Sequence, residues 1–269
     1  MESTEVSLNT TEREPPDDII LPTGSRTIWR FMDFWKFERI VKTSTLYFRR
    51  IDRLEDEFEG DVPRPEVGKA SRNAEFWNSE LHKDFRRLTF VNCWHRSVFE
   101  NALMWRAYTN FPQEPSLAIQ CDLLHLVHSI TGYVKIAPVS YVDYTEGEFH
   151  GFEENPFAWM HRMDGLTTPY FHKRIEFEGE QELRALVVTA QEFDGPMKPH
   201  PRDGIHIACH LPILLKQIVL SPKAPLAFYQ KVSDLLGQKG LEGVVVKRSA
   251  LDVKPNIEHV SINTPKNRS

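Results

Sequence analysis

Cysteine is scarce in this chain: three residues in 269, at positions 93, 121 and 209. An odd, widely spaced set fits reduced thiols better than a disulfide framework or a thiolate zinc site. Long apolar runs are missing as well. No stretch approaches the roughly 20 residues of a membrane span, and Met1-Glu2-Ser3-Thr4-Glu5 is neither basic nor apolar, so a cytoplasmic protein without a membrane partner is expected. A basic surplus is lacking too: 33 Lys and Arg against 38 Asp and Glu leave a net charge of −5. That removes the strongest electrostatic argument for a nucleic-acid partner, because phosphate binding rests on clustered cations. The local clusters, Arg49-Arg50 with Arg53 and Arg86-Arg87 with Lys83, are interleaved with Asp52, Glu55, Asp56 and Asp84 and read as solvated faces. Gly237-Gln238-Lys239-Gly240 lacks the Lys-Ser/Thr ending of a phosphate loop and follows a helical pattern, so it reads as a helix terminator. There is no Gly-x-Ser-x-Gly elbow.

What is present is ordinary for a globular protein: 41% hydrophobic and 26% charged residues, enough to bury a sizeable core. The first two dozen residues are acidic, carry Pro15-Pro16 and have almost no apolar period, so residues 1–25 are expected to be a disordered tail. From there the pattern gives a strand over Thr27 to Met32, a helix capped by Asp33 with a stripe of Phe34, Phe37, Ile40 and Val41, and a strand over Thr45 to Ile51. Residues 61–88 read as a helical insertion. Strand, helix and strand follow at Leu117 to Gln120, Leu123 to Ile130 and Val134 to Tyr144. Residues 145–169 have no period and read as a loop of the lid kind. The remainder gives a short helix through Lys173 to Phe177, strands at Leu183 to Val188, Gly204 to His210, Ile218 to Ser221 and Val244 to Lys247, and helices from Pro212 and over Leu226 to Leu236. The mixed order and short strands predict a single α+β domain over 26–269 with a split or strongly bent mixed sheet.

Chemistry-bearing residues concentrate in a few places. Residues 91–108 pass from an apolar strand through Cys93-Trp94-His95 into a helix, with Ser97 and Glu100 at capping-box spacing. Trp94, His95, Trp105 and Tyr108 are expected to converge at that corner, either as packing or as a surface for a flat ligand. His206 and His210 would be a zinc pair on a helix, but their segment alternates as a strand with no acidic third ligand near. Cys93 beside His95 lacks a third orienting group and is assigned to the core. Arg30, between Trp29 and Phe31 in an apolar strand, needs solvent, a carboxylate or a bound anion. Glu180, Glu182 and Arg184 alternate onto one strand face and either close a structural ion pair with Arg30 or line a pocket with it.

Trp29-Arg30-Phe31, Leu46-Tyr47-Phe48, Asp56-Glu57-Phe58-Glu59-Gly60, Cys93-Trp94-His95, Tyr141-Val142-Asp143-Tyr144, Lys173-Arg174, Glu180 to Arg184 and Ser221 to Pro225 occur in that order. In this the chain resembles the mostly bacterial domain-of-unknown-function 2971 family. Glu57 stands where that family's Asp-Pro-Phe-Glu-Gly block has proline, which implies a looser turn. The grouping carries no activity, although it suggests a bacterial defence or toxin setting.

More distantly, a first strand with Arg30, an immediate helix, a strand with Tyr47 and a late Glu-x-Glu resemble the layout of ADP-ribosyltransferase-like enzymes. That resemblance implies NAD as the nucleotide ligand, an enzyme that transfers ADP-ribose or cleaves NAD, and an acceptor that is a protein, a nucleic acid or water. Arg30 would hold a pyrophosphate or ribose oxygen, with Arg184 as a supporting charge. Tyr47, Trp94 or His95 would roof the pocket, and Glu182, supported by Glu180, would stabilise the oxocarbenium-like transition state. The alternative is a non-catalytic or nuclease-type effector in which Asp56, Glu59 and Asp143 bind a divalent metal.

Overall fold

The computed structural model describes residues 24–61, 80–146, 167–189 and 201–254. The expected acidic tail and most of the expected 145–169 loop lie outside these residues. The chain opens with strand β1 (Thr27–Asp33), helix α1 (Phe34–Thr43) and strand β2 (Thr45–Arg50). Asp33 precedes α1 in extended conformation but makes no side-chain cap; its carboxylate accepts from the Asn110 N–H at 2.7 Å and from the Ser116 hydroxyl, pinning a loop 77 residues away. Of the helical insertion, α2 (Glu80–Leu88) is described, and it feeds β3 (Thr89–Arg96).

The capping box expected from Ser97 and Glu100 does not form. Helix α3 (Ala102–Tyr108) starts later, with Asn101 accepting from the Leu103 N–H. Glu100 instead accepts from the Trp105 indole, the Ser249 hydroxyl and the Ala250 N–H, so it ties this corner to the Ser249–Ala250 segment. Strand β4 (Ser116–Asp122) and helix α4 (Leu123–Ser129) follow, the helix capped by Asp122 and His125.

The single strand predicted over Val134 to Tyr144 is two, β5 (Lys135–Pro138) and β6 (Ser140–Val142), because Val139 between them donates its N–H to the Glu182 carbonyl while the segments pair with different partners. The short helix expected at Lys173 is strand β7 (His172–Arg174) followed by a 3₁₀ segment over Ile175–Glu180. Strands β8 (Glu182–Val188) and β9 (Gly204–Ala208), helix α5 (Leu211–Leu214), strand β10 (Gln217–Leu220), helix α6 (Leu226–Gly237) and strand β11 (Val245–Lys247) complete the order.

Nine strands form one sheet that forks at β3. One edge of β3 pairs with β8 from Thr89 to His95, and β8 in turn pairs with β5. The other edge is shared. Phe90 and Val91 pair with β2, whereas His95 and Arg96 pair with β1. The β1 arm continues through β4 and β10 to β11, and the β2 arm ends at β9. Every pairing in this sheet is antiparallel except β10 with β11, and β6 and β7 form a separate parallel pair.

Helices α1, α4, α5 and α6 cover one face, burying Phe37, Val41, Leu126, Leu214 and Val232 against Ile28, Leu46, Phe48, Trp94 and Leu183. On the other face α3 seals Trp29 and Phe31 with Trp105, and Ile51, Val91, Tyr170 and Leu186 form a third cluster. The described residues thus form one mixed α+β domain with a split sheet. No helix among them is long and apolar enough to cross a membrane.

A fork leaves backbone groups without a ladder partner, and buried ones must be satisfied some other way. Side chains do it here. The Asn92 amide donates to the Tyr47 carbonyl at 2.8 Å and accepts from the Trp94 indole at 2.7 Å, while the Arg30 guanidinium donates to the Cys93 carbonyl at 3.1 Å. Asn92 is 1% and Trp94 2% exposed, so the indole N–H has no water to turn to. Asn92→Leu should therefore cost about 1–3 kcal/mol in urea denaturation, the penalty of a buried donor left unpaired. A loss under about 1 kcal/mol would mean that the fork closes without this side chain.

A buried charge cluster as candidate functional site

Glu182 and Arg184 follow each other on one face of β8, opposite His95 and Cys93 of β3. Arg184 is 0% exposed, and its five N–H donors all find acceptors. Nε and one terminal nitrogen grip the two Glu182 oxygens at 2.7 and 2.9 Å. The terminal nitrogens also reach Glu59 at 3.2 and 3.4 Å and the Tyr170 carbonyl at 2.6 Å. Lys173 closes the group, 3.1 Å from Glu59, 2.7 Å from Glu180 and 3.8 Å from Glu182.

Two short segments carry the remaining members into place. The Asp56 side chain accepts from the Phe58 N–H and holds Arg174 through both oxygens, and the turn it shapes delivers Glu59 inward. Gly60 sits at φ 82° with the Tyr170 ring where a Cβ would lie, so only glycine fits. The Glu57 carbonyl accepts from Arg86 at 2.7 Å, an external anchor for the turn that has glutamate at the expected proline position. At the other end Gln181 adopts a left-handed conformation, φ 43°, and its carbonyl accepts from the Arg96 N–H. This reversal brings Glu180, at the end of the 3₁₀ segment, onto the same lysine as Glu182. The Tyr141 hydroxyl accepts from the Glu182 N–H at 2.7 Å.

The electrostatics follow from these contacts. Burial alone would raise the Glu182 carboxyl, but Arg184, through its charge and its hydrogen bonds, and Lys173 hold it below its ordinary value. Burial drives the Cys93 thiol well up, and the neighbouring Glu182 charge raises it further, so this cysteine is an inert thiol. Tyr108 is 43% exposed, yet its hydroxyl end is driven far up by burial and by the charges of Glu180 and Glu182.

His95 is neutral with a fixed tautomer. Nδ1 lies 2.6 Å from the Glu180 carbonyl and must donate to it. Nε2 must then accept from the Asn101 amide at 3.3 Å, whose oxygen is already committed to the Leu103 N–H. Burial lowers its pKa, and Glu180 only partly offsets that.

The expected pocket residues divide into two groups. Glu180, Glu182, Arg184 and His95 come together. Arg30, Tyr47 and Trp94 do not join them. Register and alternation place Arg30 on the sheet face of Trp94 and Leu183, its guanidinium 5.7 Å from the Trp94 ring centre, whereas Glu182 projects from the opposite face with His95. The expected shared pocket of Arg30 and Glu182 is therefore corrected. Arg30 has no ion-pair partner among the described residues, and burial lowers it to about 10. Trp94 is 2% exposed, a core residue, and Tyr47 lies on the β2–β9 arm.

The acids of the metal alternative do not gather either. Asp56 is held by Arg174 and Glu59 by Arg184 and Lys173, while Asp143 accepts from Thr145 at the surface. Among the described residues no group of His, Cys, Asp and Glu is placed to hold a metal ion. Glu59, expected from the sequence only as a metal ligand, and Lys173 and Tyr141, for which no role is expected, are members of the cluster, and each lies in a block that carries the family resemblance. No protein-family model, no curated protein and no solved structure matches the chain.

Two outcomes follow from the cluster. Arg184→Met should destabilise the fold by roughly 3–5 kcal/mol, because it strands buried carboxylates. The deficit should shrink below about pH 4.5, where those acids can protonate in the variant while the parent loses the stability of its depressed Glu182. A deficit that is the same at pH 4 and pH 7 would show that lost packing, not charge, is responsible.

For His95 the folded pKa lies below the ordinary 6.5, so its contribution to stability is complete above that pH and is lost as pH falls below it. His125 and His206 are lowered as well and add to the same window. His95→Gln, which preserves one donor and one acceptor, should reduce the fall in denaturation midpoint between pH 7 and pH 5. An unchanged fall would exclude His95 as a contributor.

Proposed function

We propose that this cluster is the substrate site of an NAD-using enzyme of the ADP-ribosyltransferase-like kind that the sequence resembles, with Glu180 rather than Glu182 as the acting carboxylate. The reading rests on one observation. Lys173 and Arg184 face three carboxylates, Glu59, Glu180 and Glu182, so the cluster carries an uncompensated negative charge, and Glu180 is the member with access to solvent, its side chain 21% exposed against 1% and 5% for Glu59 and Glu182. When the glycosidic bond of NAD breaks, nicotinamide leaves neutral with the bonding electrons and the positive charge passes to the ribose ring. A fixed carboxylate beside a sheltered face stabilises that charge as it develops.

Glu182 is then the brace that positions the strand, its oxygens occupied by Arg184. Tyr108, half-exposed on α3 with its hydroxyl toward Glu180 and Glu182, offers a ring for a flat base, and His95 fixes the Glu180 backbone through its carbonyl.

Incubation of the protein with NAD should release nicotinamide, and saturating NAD should raise the melting temperature. Glu180→Gln should lower turnover by about 10²–10³-fold with little change in the thermal shift, because the charge acts in the transition state. An unmodified protein that neither consumes NAD nor is stabilised by it, or a Glu180→Gln protein that turns over at the parent rate, rejects the reading in favour of a purely structural cluster.

A further inference from the structure

Away from the charge cluster, the solvent face of the β2–β9 arm combines features that neither the fold nor the proposed activity uses. Tyr47 and His206 pair across the two strands with ring centres 5.2 Å apart, and Tyr47 is 39% exposed. The Tyr47 ring lies over Gly204, in the space a Cβ would fill. A hydroxyl row continues from it: His206 Nδ1 is 3.1 Å from Thr45 Oγ1, which is 2.7 Å from Thr43 Oγ1. Thr43 lines a cleft of about 440 Å³ together with Thr131, His210 and Lys239.

The cations of the arm are distributed unevenly. Arg50 is buried against Asp52, and Arg53 is paired with Asp203. Arg49, on the same strand face as Tyr47, and Arg39, on α1, are exposed and have no carboxylate partner among the described residues. Burial lowers the His206 pKa, and the charges of Arg39 and Arg202 lower it further, so both guanidinium charges act at this ring.

We propose that this face binds single-stranded nucleic acid, with a base stacked on Tyr47 and the phosphodiester backbone running between Arg49 and Arg39 toward the Lys239 cleft. The six residues of β2 extend about 20 Å, room for a few nucleotides. An aromatic platform flanked by unpaired cations is how strands are held without sequence preference. The chemistry favours a strand over a lone nucleotide because two separate cations, Arg49 on β2 and Arg39 on α1, can meet successive phosphates. The site is independent of the NAD reading, so each can fail alone.

Fluorescence anisotropy of a labelled 12-nucleotide oligothymidine with the full-length chain tests it. Binding should be measurable at 50 mM salt and should weaken steeply toward 200 mM. Arg39→Ala and Arg49→Ala should each lower the magnitude of the log–log salt slope by about 0.7, the single-strand value per phosphate contact. Tyr47→Ala should weaken binding by about 5- to 100-fold, the range for loss of one stacked base. Arg106→Ala, an exposed cation on α3, is the control and should leave affinity unchanged.

Gly204→Ala gives a separate readout. It displaces the flexible end of the Tyr47 ring without removing ring or charge, and it should weaken binding while thermal unfolding stays near that of the parent. No binding at 50 mM salt by a folded protein overturns the proposal. So does equal loss in Arg106→Ala, or AMP competing as well as the 12-mer, which would make this a mononucleotide site.

Discussion

A guanidinium with no exposure to water costs far more to bury than most side chains, and Arg184 is tolerated because two carboxylates and one carbonyl receive all its protons. That requirement propagates outward. Glu59 can reach it only if the 56–60 turn is held by Asp56 and Arg86, and only if Gly60 makes room for Tyr170. Tyr170 must in turn present its carbonyl, and Lys173 must balance the second carboxylate. The 56–60 turn and the Tyr170–Arg184 region, with Glu59 and Arg184 125 residues apart in the chain, are thus fixed by the hydrogen-bonding capacity of one side chain.

The forked sheet separates two charge problems that share a strand. On the core face of β3 the vacancy between β1 and β2 is filled by Asn92, Trp94 and Arg30, which satisfy backbone groups that lost their ladder. On the opposite face the same strand contributes Cys93 and His95 to the ionic cluster. Because alternation sends successive side chains to opposite faces, a fork in the middle of β3 can carry a network on each side without the two meeting. The consequence is chemical: a surplus carboxylate on one side, and on the other an arginine whose only described acceptor is a carbonyl.

Charge distribution, more than net charge, sets what this surface can attract. On the β2 arm Asp52 pairs with Arg50 and Asp203 with Arg53, and Arg39 and Arg49 have no carboxylate partner among the described residues. A chain that is acidic as a whole can therefore present a positive edge, since screening at physiological salt limits the reach of distant charges to about 8 Å.

By itself the sequence determined the order and type of most elements, because period and turn chemistry are local: the α1 stripe of Phe37, Ile40 and Val41 and the helix over Leu226 to Leu236 are as the residues dictate. It also placed Glu182 and Arg184 on one side, since alternation along β8 is a property of the strand alone, whereas Glu180 lies before the strand and joins them through the left-handed turn at Gln181. The tertiary structure decided the partners. Arg30 and Glu182 looked complementary because each is a charge in an apolar strand, but the register of β1 and β8 on β3 puts them on opposite faces. No period in the chain encodes that register. Likewise Ser97 and Glu100 have capping-box spacing, yet Glu100 is drawn off by Trp105 and Ser249, the latter 149 residues away, and the cap passes to Asn101. Local signals fix what a segment can form; which of its polar groups remain free depends on the distant neighbours that folding brings to them.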